Sequence, residues 1–330
     1  MPERELIAPV SLTLPNGRIN PAAIGWARQP LVDTSGIGRG WGRNKRWEYW
    51  NVTTPSHILA LTVSSLDYAT VHEVWVFDRA GAREVGMSAT AVLGRVALPP
   101  SLGAGPSRVR AKDLAIDIDE VPGGTRLRAT IPGASFDVVA ALPEGHERLA
   151  VVVPWSSRRF QYTVKDLARP ATGHVSVEGR AFELPPGESW AVLDHGRGRW
   201  PYDIRWNWGA GSGASHGRVI GLQVGGRWTE GTGSTENAML IDGRLHKIHN
   251  ELVWEYDLAE WRRPWRVAGG GLEASFTPFF DKVTRTNLGV VASSTDQCFG
   301  HWSGAFRAAD GDEVAFDGIL GWAEEVHNRW

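Results

Sequence analysis

Along much of the chain apolar and polar residues alternate with a period of two. That spacing turns one face of a β-strand to a core and the other to water. In AKDLAIDIDEV (111–121), Leu114, Ile116 and Ile118 alternate with Asp113, Ala115, Asp117 and Asp119. This predicts a half-buried antiparallel strand with an acidic outer face. GTRLRATI (124–131) follows the turn residues Pro122-Gly123-Gly124, so the two runs predict a hairpin. HILALTV (57–63), TVHEVWVFD (70–78), AVLGRVAL (91–98), FDVVAAL (136–142) and RLAVVVPW (148–155) are further β-rich runs of the first half. The second half adds HVSVEGRAFELP (174–185), RVIGLQVGGRW (218–228), AMLIDGRLHKI (238–248), LVWEYDL (252–258), LEASFTPFF (272–280), LGVVASS (288–294) and SGAFRAADGDEVAFDGILGW (303–322). Within the last, Ala309-Asp310-Gly311-Asp312 signals a hairpin turn.

The halves repeat weakly at an offset of about 160 residues. Arg46-Trp47-Glu48-Tyr49-Trp50 matches Arg205-Trp206-Asn207-Trp208, HILALTV matches RVIGLQV, and VFDRAG matches LIDGRL. Two tandem antiparallel β-barrels or strongly curved sheets, with little helix, explain this order best. The expected domains are 1–180, opening with a loop-rich segment, and 181–330. Their boundary is expected between ARPATG and LPPGES, near 170–190.

Composition narrows the function classes. A formal net charge of −2 over 330 residues, with a sequence pI near 6.6, argues against nucleic-acid binding. The basic clusters Arg39, Arg43, Lys45, Arg46 and Arg197, Arg199, Arg205 are local and balanced elsewhere. A single cysteine, Cys298, leaves no disulfide framework and no multi-cysteine metal site. No apolar run has signal-peptide or membrane-span character, so a soluble cytoplasmic protein is expected. Seventeen Trp exceed the usual needs of a core. They suggest either a ring-lined cavity or a large barrel core with some interface.

Candidate chemistry concentrates in SWAVLDHGRGRWPYDIRWNWGAGSG, Ser189 to Gly213. A carboxylate beside Trp rings loses hydration, its pKa rises, and it becomes a general acid. Asp194, close in sequence to Trp200, Tyr202, Arg205 and Asn207, fits that role first, and Asp203 second. Alternatively Asp194 pairs with Arg197 or Arg199 and pins a loop. Asp194 and His195 are adjacent and so face opposite ways on a strand. Glu236 and Asn237 open a strand, as a turn cap or at a barrel mouth. Strand parity puts Lys247, His249 and Glu251 on one face, toward solvent or a wet cavity, and keeps His246 and His249 from sharing a metal. GASHG (213–217) matches a nucleophile elbow formally, but a strand follows it rather than a helix. The glycine string GIGRGWG (36–42) lacks the helix that a phosphate loop needs, and is expected to be a flexible loop.

Several blocks together resemble the bacterial family known as domain of unknown function 2804. They are Asp194-His195-Gly196-Arg197-Gly198-Arg199-Trp200-Pro201-Tyr202, Trp206-x-Trp208, Thr235-Glu236-Asn237-Ala238 and Asp242-Gly243-Arg244-Leu245-His246-Lys247. Pro264-Trp265, Phe276-x-Pro278, Phe299-Gly300-x-x-Ser303-Gly304, Gly321-Trp322-x-Glu324 and the terminal Trp330 extend the likeness over nearly the whole chain. That family is more distantly similar to tandem lipocalin-like proteins, including carotenoid 1,2-hydratases and β-barrel cyclases. The resemblance implies two calycin-type barrels, a ligand cleft, and protonation of an alkene by a buried acid.

The expected function is a hydratase, lyase or cyclase, independent of cofactor and metal, acting on an apolar or aromatic small molecule in a Trp-lined cleft. Asp194 or Asp203 would be the general acid. Trp200, Tyr202, Trp206 and Trp208 would stabilise cationic or planar character by their π faces. Arg205, Lys247 and His249 would orient a polar end, with His195, Arg197, Glu236 and Asn237 completing the ligand site. A non-catalytic lipocalin-like carrier of a lipid or pigment is the competing class. Carbohydrate binding on exposed Trp platforms is the third.

Overall fold

Antiparallel pairing absorbs nearly every β-rich run of the sequence. The computed structural model describes residues 3–38, 41–287, 289 and 291–330. Parts of the glycine string (Arg39, Gly40) and of LGVVASS (Leu288, Val290) lie outside the described residues. Among the described residues the only helical elements are two 3-10 turns, Pro21–Ala23 and Ser35–Gly38. No helix is long and apolar enough to cross a membrane.

The chain divides into two compact units, Leu6–Trp200, and Pro201–Trp330 together with Met1–Glu5. In the first, a sheet runs Arg83–Val92, Ala69–Asp78, His57–Ser65, Asn44–Thr53, Trp190–Arg199, Phe160–Val177, Ala134–Ala141, Gly124–Ile131, Leu114–Val121 and Ser107–Ala111. It curls into a nearly closed barrel. In the second, a nine-stranded half-barrel runs Arg244–Ile248, Asn237–Ile241, Arg218–Gly226, Asp203–Ser215, Glu313–Arg329, Ala292–Arg307, Leu272–Asn287, Trp265–Gly269 and Val253–Glu255.

The repeat seen in the sequence reappears as topology. Asn44–Thr53 and Asp203–Ser215 each pair on one flank with the next strand of the chain. On the other flank each pairs with the last long strand of its own unit, Trp190–Arg199 or Glu313–Arg329. The Trp190 strand lies beyond the expected boundary near residue 180, yet its hydrogen bonds tie it to Asn44–Thr53 and Phe160–Val177 in the first unit.

Burial follows the alternation. Leu114, Ile116 and Ile118 face the first core with Leu127, Val138 and Leu61. Each fully buried aliphatic side chain contributes about 1.5–3 kcal/mol. Asp117 and Asp119 point outward and meet Arg108, Arg110 and Arg128 across the strands, half-buried pairs at the solvent face of the sheet. AMLIDGRLHKI, read as one β-rich run, is a hairpin that turns at Asp242 (φ 50°) and Gly243 (φ 80°). The Asp242 carboxylate accepts from the Val219 N–H at 2.8 Å.

Two runs end earlier than their hydrophobicity suggests. AVLGRVAL is strand only to Val92, because Leu93 turns left-handed (φ 55°) and stops the pairing with Ala69–Asp78. HVSVEGRAFELP is a hairpin and not one strand, turning at Glu178-Gly179 between Phe160–Val177 and Arg180–Glu183. GASHG likewise turns at His216-Gly217 into the Arg218 strand, and Ser215 Oγ accepts the Asp317 N–H at 2.9 Å.

The glycines of DHGRGRW answer to packing. A Cβ on Gly196 would stand 2.2 Å from Trp47 Cε2 and Cζ2. Gly196→Ala is therefore expected to displace the Trp47 ring and cost about 1–3 kcal/mol. Urea unfolding reads this directly; an unchanged midpoint would mean that the ring has room to move.

Candidate functional site

Every residue of Trp190–Arg199 is buried, and its side chains alternate between two faces. On one face Asp194 accepts from Trp47 Nε1 (3.0 Å) and Thr163 Oγ1 (3.0 Å) and pairs with Lys165 Nζ (3.1 Å). The partner is Lys165, directly opposite on the Phe160 strand, and not Arg197 or Arg199. Those two arginines point to the other face, as strand parity requires. Arg199 is held by Asn44 Oδ1 and the carbonyls of Gly17 and Ile37.

On that other face His195 and Arg197 meet Glu48. Arg197 Nη2 lies 3.3 Å, and His195 Nδ1 3.6 Å, from Glu48 Oε1. Among the described residues neither ring nitrogen of His195 makes a hydrogen bond. Burial, reinforced by the Arg197 charge, lowers the His195 pKa to about 4. Burial alone would raise the Glu48 carboxyl; the adjoining imidazole and guanidinium outweigh it and hold it below the usual carboxylate range.

The second unit repeats the first face. Trp206 Nε1 donates to Glu324 Oε1 at 3.1 Å, as Trp47 does to Asp194. Asp194 lies opposite Tyr49, and Glu324 lies opposite Trp208, the residue that matches Tyr49 in the repeat. The expected site residues thus fall into separate groups. Trp200 donates to Gln161 at 2.7 Å and Trp208 to Gln223 at 2.9 Å, so both indole N–H groups serve the fold. Tyr202 is 41% exposed. Asn237 bridges the Gly225 N–H and the Asn250 carbonyl, and Glu236 accepts from Trp228 Nε1. Lys247 and His249 meet Glu3.

Asp203 is not buried among Trp rings. It is exposed, and it bonds His327 Nε2 at 2.8 Å. His327 and Arg205 line a concavity of about 320 Å³ in the second unit, together with Trp261, Arg285, Asp296 and Glu325. Glu325 is 3.7 Å from Arg205 and 3.0 Å from Arg227. It also accepts the Tyr256 hydroxyl proton. Tyr256 in turn accepts from Asn207 Nδ2 (3.0 Å) and Arg227 Nη2 (2.8 Å). Burial and the Glu325 hydrogen bond raise its pKa to about 12. Behind it Tyr256, Trp261 and Trp265 form a ladder, with Tyr256 and Trp265 stacked at 4.2 Å and 12°.

The arrangement offers an imidazole oriented by a carboxylate, a protonated phenol bound to a carboxylate, and two arginines on one wall. Such a set can move protons in both directions and hold an anionic group. Among the described residues no three His, Cys, Asp or Glu side chains converge as a metal would require.

The family is a matter of sequence. Residues 3–330 match the family described as Domain of unknown function (DUF2804). The chain belongs to that family. A search of curated proteins finds no match. Among solved structures the chain is similar to a candidate AttH from Nitrosomonas europaea, at 14% identity and a TM-score of 0.50, covering 86% of this chain and 92% of that one. Kievitone hydratase from Nectria haematococca aligns at 11% identity and a TM-score of 0.46, covering 88% and 89%. CghA aligns at 12% identity and a TM-score of 0.49, covering 87% and 88%. The likeness to the Nitrosomonas europaea protein concerns the fold.

In this DUF2804 member sequence reasoning missed Glu48, Arg227, Tyr256, Glu325 and His327. One signal was present: Glu48 and Asn207 occupy the same place in the repeat, and His195 and Glu325 lie directly opposite them. The first unit seals that pair; in the second, Glu325 lines the concavity.

Proposed function

We propose that the protein is a cofactor-independent enzyme of hydratase, lyase or cyclase type, working on a small molecule held in the concavity of the Pro201–Trp330 unit. The observation that carries this reading is the convergence there of His327, bonded to Asp203, of Glu325, bonded to Tyr256, and of Arg205. Adding water to an alkene needs one group to take a proton from the water oxygen and another to deliver one to carbon; removing water runs both transfers in reverse. His327, oriented by Asp203, is the base in this scheme. Tyr256 remains protonated at neutral pH and is the donor once its hydroxyl turns from Glu325 to the substrate, with Asn207 and Arg227 holding its oxygen. Arg205 and Arg285 orient an anionic or strongly polar end of the substrate. Trp261 offers a face to its planar part.

The test is incubation of purified protein with cell extract in heavy-oxygen water, followed by mass spectrometry. A protein-dependent product is expected, either labelled (hydration) or changed in mass or isomer (elimination, cyclisation). His327→Asn and Tyr256→Phe should each slow its formation by about 100-fold or more while the far-ultraviolet spectrum stays unchanged. A co-purifying ligand recovered unaltered, with no product at all, would favour a lipocalin-like carrier and defeat the enzymatic reading.

A further inference from the structure

A second polar constellation of the same unit shares no residue with the His327 concavity. The Lys247 side chain is 1% exposed and donates to Glu3 Oε1 at 2.7 Å, to the Ile248 carbonyl at 3.0 Å and to Thr235 Oγ1. Thr235 Oγ1 lies 3.0 Å from the same Glu3 oxygen, and His249 Nδ1 lies 3.5 Å from it. The Glu3 side chain is itself 4% exposed.

A buried ammonium is tolerated only beside an anion. Here the anion comes from a residue remote in sequence, 244 positions away. It also fits unevenly. All three groups address Oε1, whereas Oε2 is buried and makes no hydrogen bond among the described residues. A buried acceptor left unpaired is costly, so Glu3 is a strained occupant of a well-formed cradle. An untethered carboxylate of similar size is free of the chain geometry that strands Oε2.

We propose that Lys247, Thr235 and His249 form a recognition site for a small-molecule monocarboxylate, which Glu3 occupies in cis. The segment bearing Glu3 is then a displaceable stopper, and carboxylate ligands compete with it. Glu236 and Glu251 add negative charge around Lys247. They favour a ligand with one carboxylate over a polyanion.

Fluorine NMR of 4,4,4-trifluorobutyrate tests this, using the full chain and its Glu3→Ala variant at constant ionic strength. If Glu3 fills the site at least nine-tenths of the time, its removal tightens binding by about tenfold or more. Adding Lys247→Met to Glu3→Ala should abolish the gain, and 4,4,4-trifluorobutyramide should not bind. Glu3→Gln, which keeps the side chain's size, serves if Glu3→Ala unfolds, and should fall between parent and Glu3→Ala. Equal binding by parent and variant, survival of binding in Glu3→Ala/Lys247→Met, or equal binding of the amide would each overturn the proposal.

Discussion

Acidification across pH 6.5 to 4 is expected to remove about 3 kcal/mol of stability through His195 alone. The imidazole is fully buried, and burial, then the Arg197 charge, lowers its pKa from 6.5 to about 4. Within that window the unfolded chain binds a proton that the folded chain refuses. Stability therefore rises with pH through the window: the His195 contribution is complete above 6.5 and lost as pH falls through 4. His72, also lowered to about 4 by burial, acts with the same sign. At lower pH the carboxyls of Glu48 and Asp166, both held below the ordinary range, add to the loss as they protonate. Urea unfolding of the parent and of His195→Gln, followed across the window, isolates the effect. The variant should show a slope smaller by about one proton. Parallel slopes would exclude His195 as the source.

Arg197→Met is expected to cost about 3–5 kcal/mol, the usual penalty for removing one member of a buried ion pair. Its guanidinium serves Glu48 Oε1 (3.3 Å) and the carbonyls of Trp47 (2.8 Å), Gly196 (2.9 Å) and Pro99 (3.1 Å). Without it the Glu48 carboxylate, 3% exposed, keeps, among the described residues, Ser107 Oγ at 3.3 Å and the adjoining His195 ring. The loss comes from that stranded charge more than from the missing contacts. Arg197→Met/Glu48→Gln should therefore be more stable than Arg197→Met, a coupling that a double-mutant cycle measures. A single-variant loss below about 1 kcal/mol would show that water reaches Glu48.

The strands that were easiest to read are those with one wet face. Leu114–Val121 and Gly124–Ile131 carry their alternation openly because Asp117, Asp119 and Arg128 reach solvent. Trp190–Arg199 is different, since it is buried on both faces although it carries Asp194, His195, Arg197 and Arg199. Charge normally marks a solvated face, so nothing in the pattern of this stretch announced a strand buried on both sides. Pairing with Lys165 and Glu48 supplies the counter-charges that make such burial tolerable, and both partners lie far off in the chain. The candidate site was legible to the same extent. Asp203 and Arg205 stood out, but His327 and Glu325 join them only because Asp203–Ser215 pairs with Glu313–Arg329.

Sequence alone determined the all-β class, the hairpins at Gly123 and Asp310-Gly311, the tandem repeat and the family, because period-two patterning, turn chemistry and motif spacing are local properties. Tertiary structure decided which charged residues are buried, that Asp194 binds Trp47 and Lys165, and that Glu325, bonded to Tyr256, shares one concavity with His327. Those outcomes depend on which strands become neighbours. Register across a sheet is set by the packing of whole faces and the pairing of buried polar groups, quantities that no single stretch of sequence contains.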